Sequence, residues 1–155
     1  MDKISPCLWF DGNAEQAVAF YLSVFDGEEI DRLYYNSAGP GPAGSVLSIN
    51  FRLYGQTFIA LNGGDEVSFN HALSLFVNCD HQQEIDQLWD RLLANGGRSL
   101  HCGWVQDQFG VYWQIVPRSL DTMLQDKQRA PAVMSALLKM SKLDLPALEA
   151  AYQQG

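Results

Sequence analysis

The stretch GWVQDQFGVYWQIVP, residues 103–117, decides the fold because it closes the second of two similar halves of the chain. From Val111 to Pro117 the residues are β-branched, aromatic or apolar, which predicts a strand with apolar side chains on both faces. Gly110 introduces that strand, and one neutral amide, Gln114, lies in its middle. Gln114 is therefore either a functional group or a core residue whose hydrogen bonds are satisfied.

A similar closing strand occurs earlier, in YGQTFIAL, where Gly55 takes the place of Gly110. Each closing strand completes a β-α-β-β-β pattern, because both halves also contain an opening strand, an amphipathic helix and two further strands. The fold class is therefore α+β, with curved mixed sheets and outer helices in a single domain. The boundaries are module one over residues 3–63, module two over residues 70–118 and a C-terminal helical tail over residues 119–155.

The helices are predicted from capping boxes and apolar periodicity. Asn13 with Gln16 forms the predicted box of the first helix, and Asp80 with Gln83 that of the second. The apolar faces consist of Ala17, Phe20, Tyr21, Val24 and Phe25 in the first helix, and of Ile85, Leu88, Trp89 and Leu92 in the second. In module two, an opening strand is expected in residues 72–78 and a strand-like segment over Ser99–Val105.

Composition excludes some classes of partner. The net charge of -8 argues against nucleic acid and anionic membranes, because binding to phosphates depends on Lys and Arg. The sequence has no 18-residue apolar run and no signal peptide, and its cysteine count is odd, so we expect a soluble, cytoplasmic protein. The expected partner is a small-molecule ligand or another protein.

Four stretches carry a resemblance to a known family: LWFDGNAEQAVAFYLSVF (8–25), ALNGGDEVSFNHALSLFVNC (60–79), IDQLWDRLLANGG (85–97) and CGWVQDQFGVYWQIVP (102–117). Over essentially its whole length the chain resembles the vicinal oxygen chelate superfamily, which includes glyoxalases, extradiol dioxygenases and bleomycin or fosfomycin resistance proteins. It is most similar to the PhnB-like branch, which carries the domain name 3-demethylubiquinone 3-methyltransferase. The resemblance implies that the paired modules enclose a cavity. It also implies that the protein is a homodimer.

The resemblance also implies a divalent metal ion, held by the opening and closing strands of each module. The matching positions are Pro6 and Ile59, which have no ligand atom, a position near Ala72, and Gln114, where metal-dependent members commonly carry Glu. An amide is a weak, neutral ligand. His71 is one residue from the position near Ala72 and is therefore expected on the opposite face of the strand. His71 and Gln114 are thus weak metal candidates, and we expect no cofactor.

Strand alternation predicts which side chains share a face with Gln114. The predicted ligand pocket consists of Leu8, Thr57, Ile59, Leu61, Ser74, Phe76, Cys102, Trp104, Tyr112 and Gln114. A mainly apolar and aromatic lining with a few hydrogen-bonding groups is typical of small-molecule sites. The alternative is a filled core in which Gln114 and Tyr112 satisfy each other.

Other candidate residues have structural interpretations. Asp107, in the polar turn QDQFG, is expected to form an Asx-type turn rather than act as a base. Trp113 is expected to face a helix, Cys7 and Cys79 are expected in the core, and His81 is expected to be solvated.

Three functions follow as hypotheses: a small-molecule binding protein without metal, a metal-dependent lyase, isomerase or dioxygenase with a degenerate site, and a dimeric interaction protein that uses its tail. The first is preferred, and whether the protein is an enzyme is left open. Methyltransferase activity has no support in the residues, because no glycine-rich loop follows the first strand and no acidic residue is placed to hold a ribose.

Overall fold

The computed structural model describes all of residues 1–155, which divide into two compact units, unit one (1–69) and unit two (70–155). Unit one contains β1 (Cys7–Phe10), α1 (Ala14–Val24), β2 (Gly27–Tyr34), β3 (Val46–Leu53) and β4 (Gln56–Asn62). The strands form one mixed sheet in the order β1-β4-β3-β2, in which β1 runs parallel to β4. The predicted β-α-β-β-β pattern is confirmed.

A two-residue turn joins β3 to β4. Leu53 pairs with Gln56, and the two residues between them, Tyr54 and Gly55, have φ angles of 47° and 83°. Positive φ at both positions is the requirement of a type I′ turn, whose twist matches that of the flanking strands. Gly55 thus adopts the left-handed conformation at little cost and helps to fix the register of the closing strand.

Helix α1 packs on the sheet face formed by β3 and β4. The ring of Tyr21 stacks on Phe51 with centroids 6.4 Å apart, and Phe51 stacks on its cross-strand partner Phe58 at 5.4 Å. All three side chains are buried. This aromatic column is the centre of the unit one core.

The N-terminus of α1 is capped from a distant part of the chain. Asn62, at the end of β4, accepts a hydrogen bond from the backbone N–H of Ala14 at 2.9 Å, and its amide nitrogen donates to Glu15 at 2.7 Å. Asn13 makes no side-chain cap. The predicted capping box is wrong because the fold supplies another acceptor.

Unit two repeats the pattern with β5 (Leu75–Cys79), α2 (Gln82–Leu93), β6 (Arg98–Ser99), β7 (Trp104–Gln106) and β8 (Tyr112–Pro117). Its strands form a sheet in the order β5-β8-β7-β6, with β5 parallel to β8. The four residues predicted for the apolar face of α2 are all buried. The segment expected as one strand over Ser99–Val105 is instead two short strands separated by a turn.

The cap of α2 lies one residue after the predicted position. His81 Nδ1 accepts a hydrogen bond from the backbone N–H of Glu84 at 3.2 Å, and Glu84 Oε1 accepts from the N–H of Asp80 at 2.7 Å. The pair resembles a capping box, except that Glu84 bonds the N–H of Asp80, one residue before the cap, instead of the N–H of His81. His81 is exposed, as predicted, and its imidazole also caps the helix.

The tail folds into α3 (Ser119–Gln125), α4 (Ala130–Leu137) and α5 (Leu145–Gln154), which pack into unit two. Their buried cluster consists of Val116, Leu120, Met123, Val133, Leu137, Leu143 and Leu148. The backbone N–H groups of Cys102 and Gly103 donate to the carbonyls of Met140 and Ser141, both at 2.8 Å. The tail thus holds the turn between β6 and β7. None of the helices has the length and apolar character that crossing a bilayer requires.

Candidate functional site

One face of the unit two sheet brings together several of the predicted pocket residues. The strand register pairs Trp104 with Gln114 and Gln114 with Phe76, and in the next row it pairs Gln106 with Tyr112. Paired residues of neighbouring strands point to the same side, so these five side chains define one surface, the open face. Phe76 is 54% exposed, and the other four are half-buried.

Gln114 makes one hydrogen bond within the chain, from Nε2 to the hydroxyl oxygen of Ser74 at 2.9 Å. Its carbonyl oxygen accepts none, and the hydroxyl of Tyr112 and the indole N–H of Trp104 also have no partner in the chain. The alternative in which Gln114 and Tyr112 satisfy each other is therefore wrong. The open face presents free hydrogen-bonding groups beside aromatic rings.

His71 contacts the open face, although strand alternation predicts the opposite. Its ring lies edge-on to Tyr112, with centroids 5.9 Å apart and an interplanar angle of 63°. Residues 71–73 form a turn ahead of β5, which begins at Leu75. Alternation does not extend into a turn, and the sequence pattern placed the start of the strand too early.

Leu8 does not share a face with the other pocket residues predicted in unit one. The register pairs Leu8 with Ala60 and Cys7 with Ile59, so Leu8 and Ile59 point to opposite sides. Leu8 and Ala60 are buried on the side that α1 covers. The prediction for Leu8 is wrong, and Cys7, expected in the core, is exposed instead. Both errors have one cause: the inward and outward positions of β1 are exchanged relative to the predicted alternation.

The remaining residues predicted in unit one, Thr57, Ile59 and Leu61, alternate along β4 on the side away from α1. Thr57 is fully buried, and its backbone N–H donates to a carboxylate oxygen of Asp2 at 3.3 Å. Ile59 and Leu61 are half-buried. These three residues form a row of two apolar side chains and one buried threonine on the unit one sheet.

Cys102 lies in the turn between β6 and β7, with a φ of 58°, and packs against the buried cluster of the tail. Its predicted place in the pocket is wrong because the chain turns here instead of continuing as a strand. Cys79 is fully buried, as predicted, and burial raises the pKa of its thiol to about 12. A thiol with so high a pKa is a poor nucleophile near neutral pH.

Asp107 organises the hairpin that carries the open face. Its buried carboxylate accepts hydrogen bonds from the backbone N–H groups of Phe109 at 2.9 Å and Val111 at 3.0 Å, and from the indole N–H of Trp113 at 2.8 Å. Gly110, at a φ of 92°, completes the turn. The predicted Asx-type turn is confirmed, and Trp113 is buried on the sheet side that faces α2.

A cleft of about 340 Å³ adjoins the open face and is lined by His71, Arg98, Leu100, His101, Trp104 and Tyr112. The pocket predicted from the sequence does not include Arg98, Leu100 or His101. The turn after β6 brings residues 100 and 101 back beside β7, and no local pattern indicates such a return. Only the pairing of Arg98 with Gln106 would have revealed that Arg98 belongs to this side of the sheet.

The residues present do not fit the divalent metal ion that the superfamily implies. No group of three or more His, Cys, Asp or Glu side chains in the chain could hold a metal ion. Pro6 and Ile59 supply no ligand atom, and the amide nitrogen of Gln114 is turned to Ser74. Transition metals in proteins are usually held by several imidazole, thiolate or carboxylate ligands.

Two β-α-β-β-β units in one chain, each with a mixed four-stranded sheet, define the fold as that of the vicinal oxygen chelate superfamily. Within it, residues 2–116 match the family model described as 3-demethylubiquinone-9 3-methyltransferase. The chain therefore belongs to this PhnB-like family.

Solved structures agree with that assignment. The PhnB protein from Bacillus cereus, which carries the same methyltransferase description, is 34% identical with a TM-score of 0.68, and the match covers 75% of this chain and 99% of that chain. Protein PA1353 from Pseudomonas aeruginosa is 22% identical with a TM-score of 0.61, covering 73% and 95%. The fosfomycin resistance protein FosX from Mesorhizobium loti is 14% identical with a TM-score of 0.58, covering 81% and 99%. The last two share the fold alone, and no curated protein matches the chain.

Proposed function

We propose that this protein binds a small molecule on the open face of unit two, without a metal ion. The observation that carries the proposal is the row of Trp104, Gln114 and Phe76 across three strands, which places an unpartnered amide oxygen between two aromatic side chains. Small-molecule sites commonly combine apolar walls with a few convergent polar groups. The exposure of Phe76 is explained if a ligand covers it.

Three side chains of the open face have distinct roles in this proposal. The carbonyl oxygen of Gln114 accepts a hydrogen bond from the ligand, while Ser74 fixes the orientation of the amide. The hydroxyl of Tyr112 donates a hydrogen bond to the ligand or accepts one from it, and the indole of Trp104 offers a flat surface on which a ligand ring stacks. This set of groups binds and orients a molecule. The methyltransferase description of the family is not part of the proposal, because no feature of the site supports it.

The proposal also includes a homodimer and a cytoplasmic location. The apolar residues of the tail are mostly packed into unit two, which disfavours a protein whose function is contact through the tail. Leu138, after α4, is 63% exposed and is the most exposed large apolar side chain of the tail. We propose that it contacts the second copy in the homodimer. Light scattering should give twice the mass of one chain.

We expect Tyr112→Ala to weaken ligand binding by about tenfold or more, because it removes both a ring and a hydrogen-bonding group from the site. The measurement is ligand-observed NMR with a library of single-ring compounds, followed by titration of the compounds that bind. Tyr34→Ala is the matched control, since Tyr34 lies on β2 of unit one and is 55% exposed.

The same titration is repeated after dialysis against a chelator, and we expect the affinities to be unchanged. Loss of binding on chelation would favour the metal-dependent alternative and contradict the proposal. Compounds that bind equally to the wild type and to Tyr112→Ala would place the site elsewhere.

A further inference from the structure

The cleft beside the open face has an unusual charge for this chain. The chain has 18 Asp and Glu against 10 Lys and Arg, yet the cleft is lined by Arg98, His71 and His101 and by no carboxylate. Another cleft, of about 400 Å³ in unit one, is lined by Asp11 and Glu15 and by no basic residue. In an acidic protein, the titratable side chains that line this cleft beside the open face thus include basic groups and no carboxylate.

Arg98 differs from other arginines of the chain in its partner. Its Nε and Nη2 donate to the amide oxygen of Gln106 at 3.0 and 2.6 Å, and Gln106 in turn donates to the carbonyl of Gly110 at 3.2 Å. By contrast, a carboxylate pairs with each of Arg32, Arg52, Arg118 and Arg129. Gln106 therefore holds the guanidinium in place without neutralising it, and Nη1 is left free to donate.

The rest of the lining is flat and aromatic. Trp104 and Tyr112 lie on neighbouring strands in adjacent rows of the same face, a spacing that long aromatic side chains bridge. The ring of His71 stands edge-on to Tyr112. A volume of about 340 Å³ is at the lower end for ligand pockets and suits a molecule with one ring.

We infer that the ligand is a small aromatic anion, such as an aryl carboxylate, whose charged group binds Arg98 and the two imidazoles while its ring lies against Trp104 and Tyr112. This inference rests on the proposed function and names the ligand class of the same site. A guanidinium matches the geometry of a carboxylate and forms charge-assisted hydrogen bonds with it. The imidazoles of His71 and His101 can each donate one further hydrogen bond.

The test compares two probes of nearly equal shape, benzoate and benzamide, by NMR titration of the full chain at low and high ionic strength. We expect benzoate to bind about tenfold more tightly at low salt, which is the effect of one charge-assisted contact. Salt should reduce the preference, because screening weakens exposed charge pairs. Arg98→Gln should abolish the preference, and Arg98→Lys should retain part of it. Arg32→Gln, in unit one, is the control and should leave it intact.

Equal binding of the two probes, or a benzoate preference that survives Arg98→Gln, would overturn the inference. If both probes bind equally and both are weakened by Tyr112→Ala, the small-molecule site stands and only the anion preference is wrong. If neither probe binds at millimolar concentration while neutral library compounds do, the small-molecule site again stands and the anion preference is wrong. If no compound of any charge binds, the proposed function fails together with the inference. Circular dichroism of each Arg98 variant establishes that it is folded.

Discussion

Replacing Asp107 with alanine should lower the free energy of unfolding by about 3 to 5 kcal/mol. The buried carboxylate accepts three hydrogen bonds, from Phe109, Val111 and Trp113, in a hairpin whose tip is half-buried. Its removal takes away the acceptor of these three hydrogen bonds, and the loss of a buried hydrogen-bond partner costs about 1 to 3 kcal/mol. The effect should exceed that of any single exposed substitution, because one side chain here satisfies donors from both the backbone and the core.

Urea unfolding followed by fluorescence measures this effect. Asp107→Asn keeps one acceptor oxygen for the two backbone N–H groups but loses the bond to Trp113, so it should cost roughly half as much. Asp65→Ala, at an exposed carboxylate of unit one, is the control and should change stability by less than about 0.5 kcal/mol. A loss below about 1 kcal/mol for Asp107→Ala would contradict the structural role given to this residue.

Leu143→Ala should destabilise the protein by about 2 to 5 kcal/mol, the range for a fully buried leucine that leaves a cavity. Leu143 lies in the buried cluster of the tail and packs against Gly103, where a Cβ atom would come within 3.0 Å of its side chain. The same substitution should loosen the turn that contains His101 and leads into β7 at Trp104. We therefore expect it to weaken ligand binding as well as to lower stability.

The comparison for Leu143→Ala is Leu138→Ala, which alters the same residue type at an exposed position of the tail. Thermal unfolding of both variants should show a large shift for Leu143→Ala and little for Leu138→Ala. Alkylation of Cys102, which packs against the cluster, should also become faster in Leu143→Ala. Similar melting temperatures for the two variants would mean that the tail contributes little to the unit two core.

The elements that sequence analysis predicted correctly are those encoded by local pattern. The apolar face of α2 follows from the spacing of Ile85, Leu88, Trp89 and Leu92, which places them on one side of any helix. The turn at Asp107 likewise follows from a short polar stretch that ends in glycine. Because such signals involve residues close in sequence, they do not depend on how the sheets are assembled.

The errors concern contacts between residues far apart in sequence. Leu8 was placed on the wrong face because the orientation of β1 depends on its register with β4. Cys102 and His71 were misplaced because each lies in a turn where strand alternation stops. Arg98 was missed because only its pairing with Gln106 connects it to the site. A site assembled across strands can be predicted no more accurately than the strand register.

The central claim is that the open face of unit two binds a small molecule, and ¹⁹F NMR of protein labelled with 5-fluorotryptophan tests it most directly. The chain has four tryptophans, of which Trp104 lies on the open face while Trp89 and Trp113 are buried behind the sheet. We predict that a bound compound shifts the resonance of Trp104, assigned with Trp104→Phe, and leaves those of Trp89 and Trp113 in place. A compound that binds without moving the Trp104 resonance would contradict the claim.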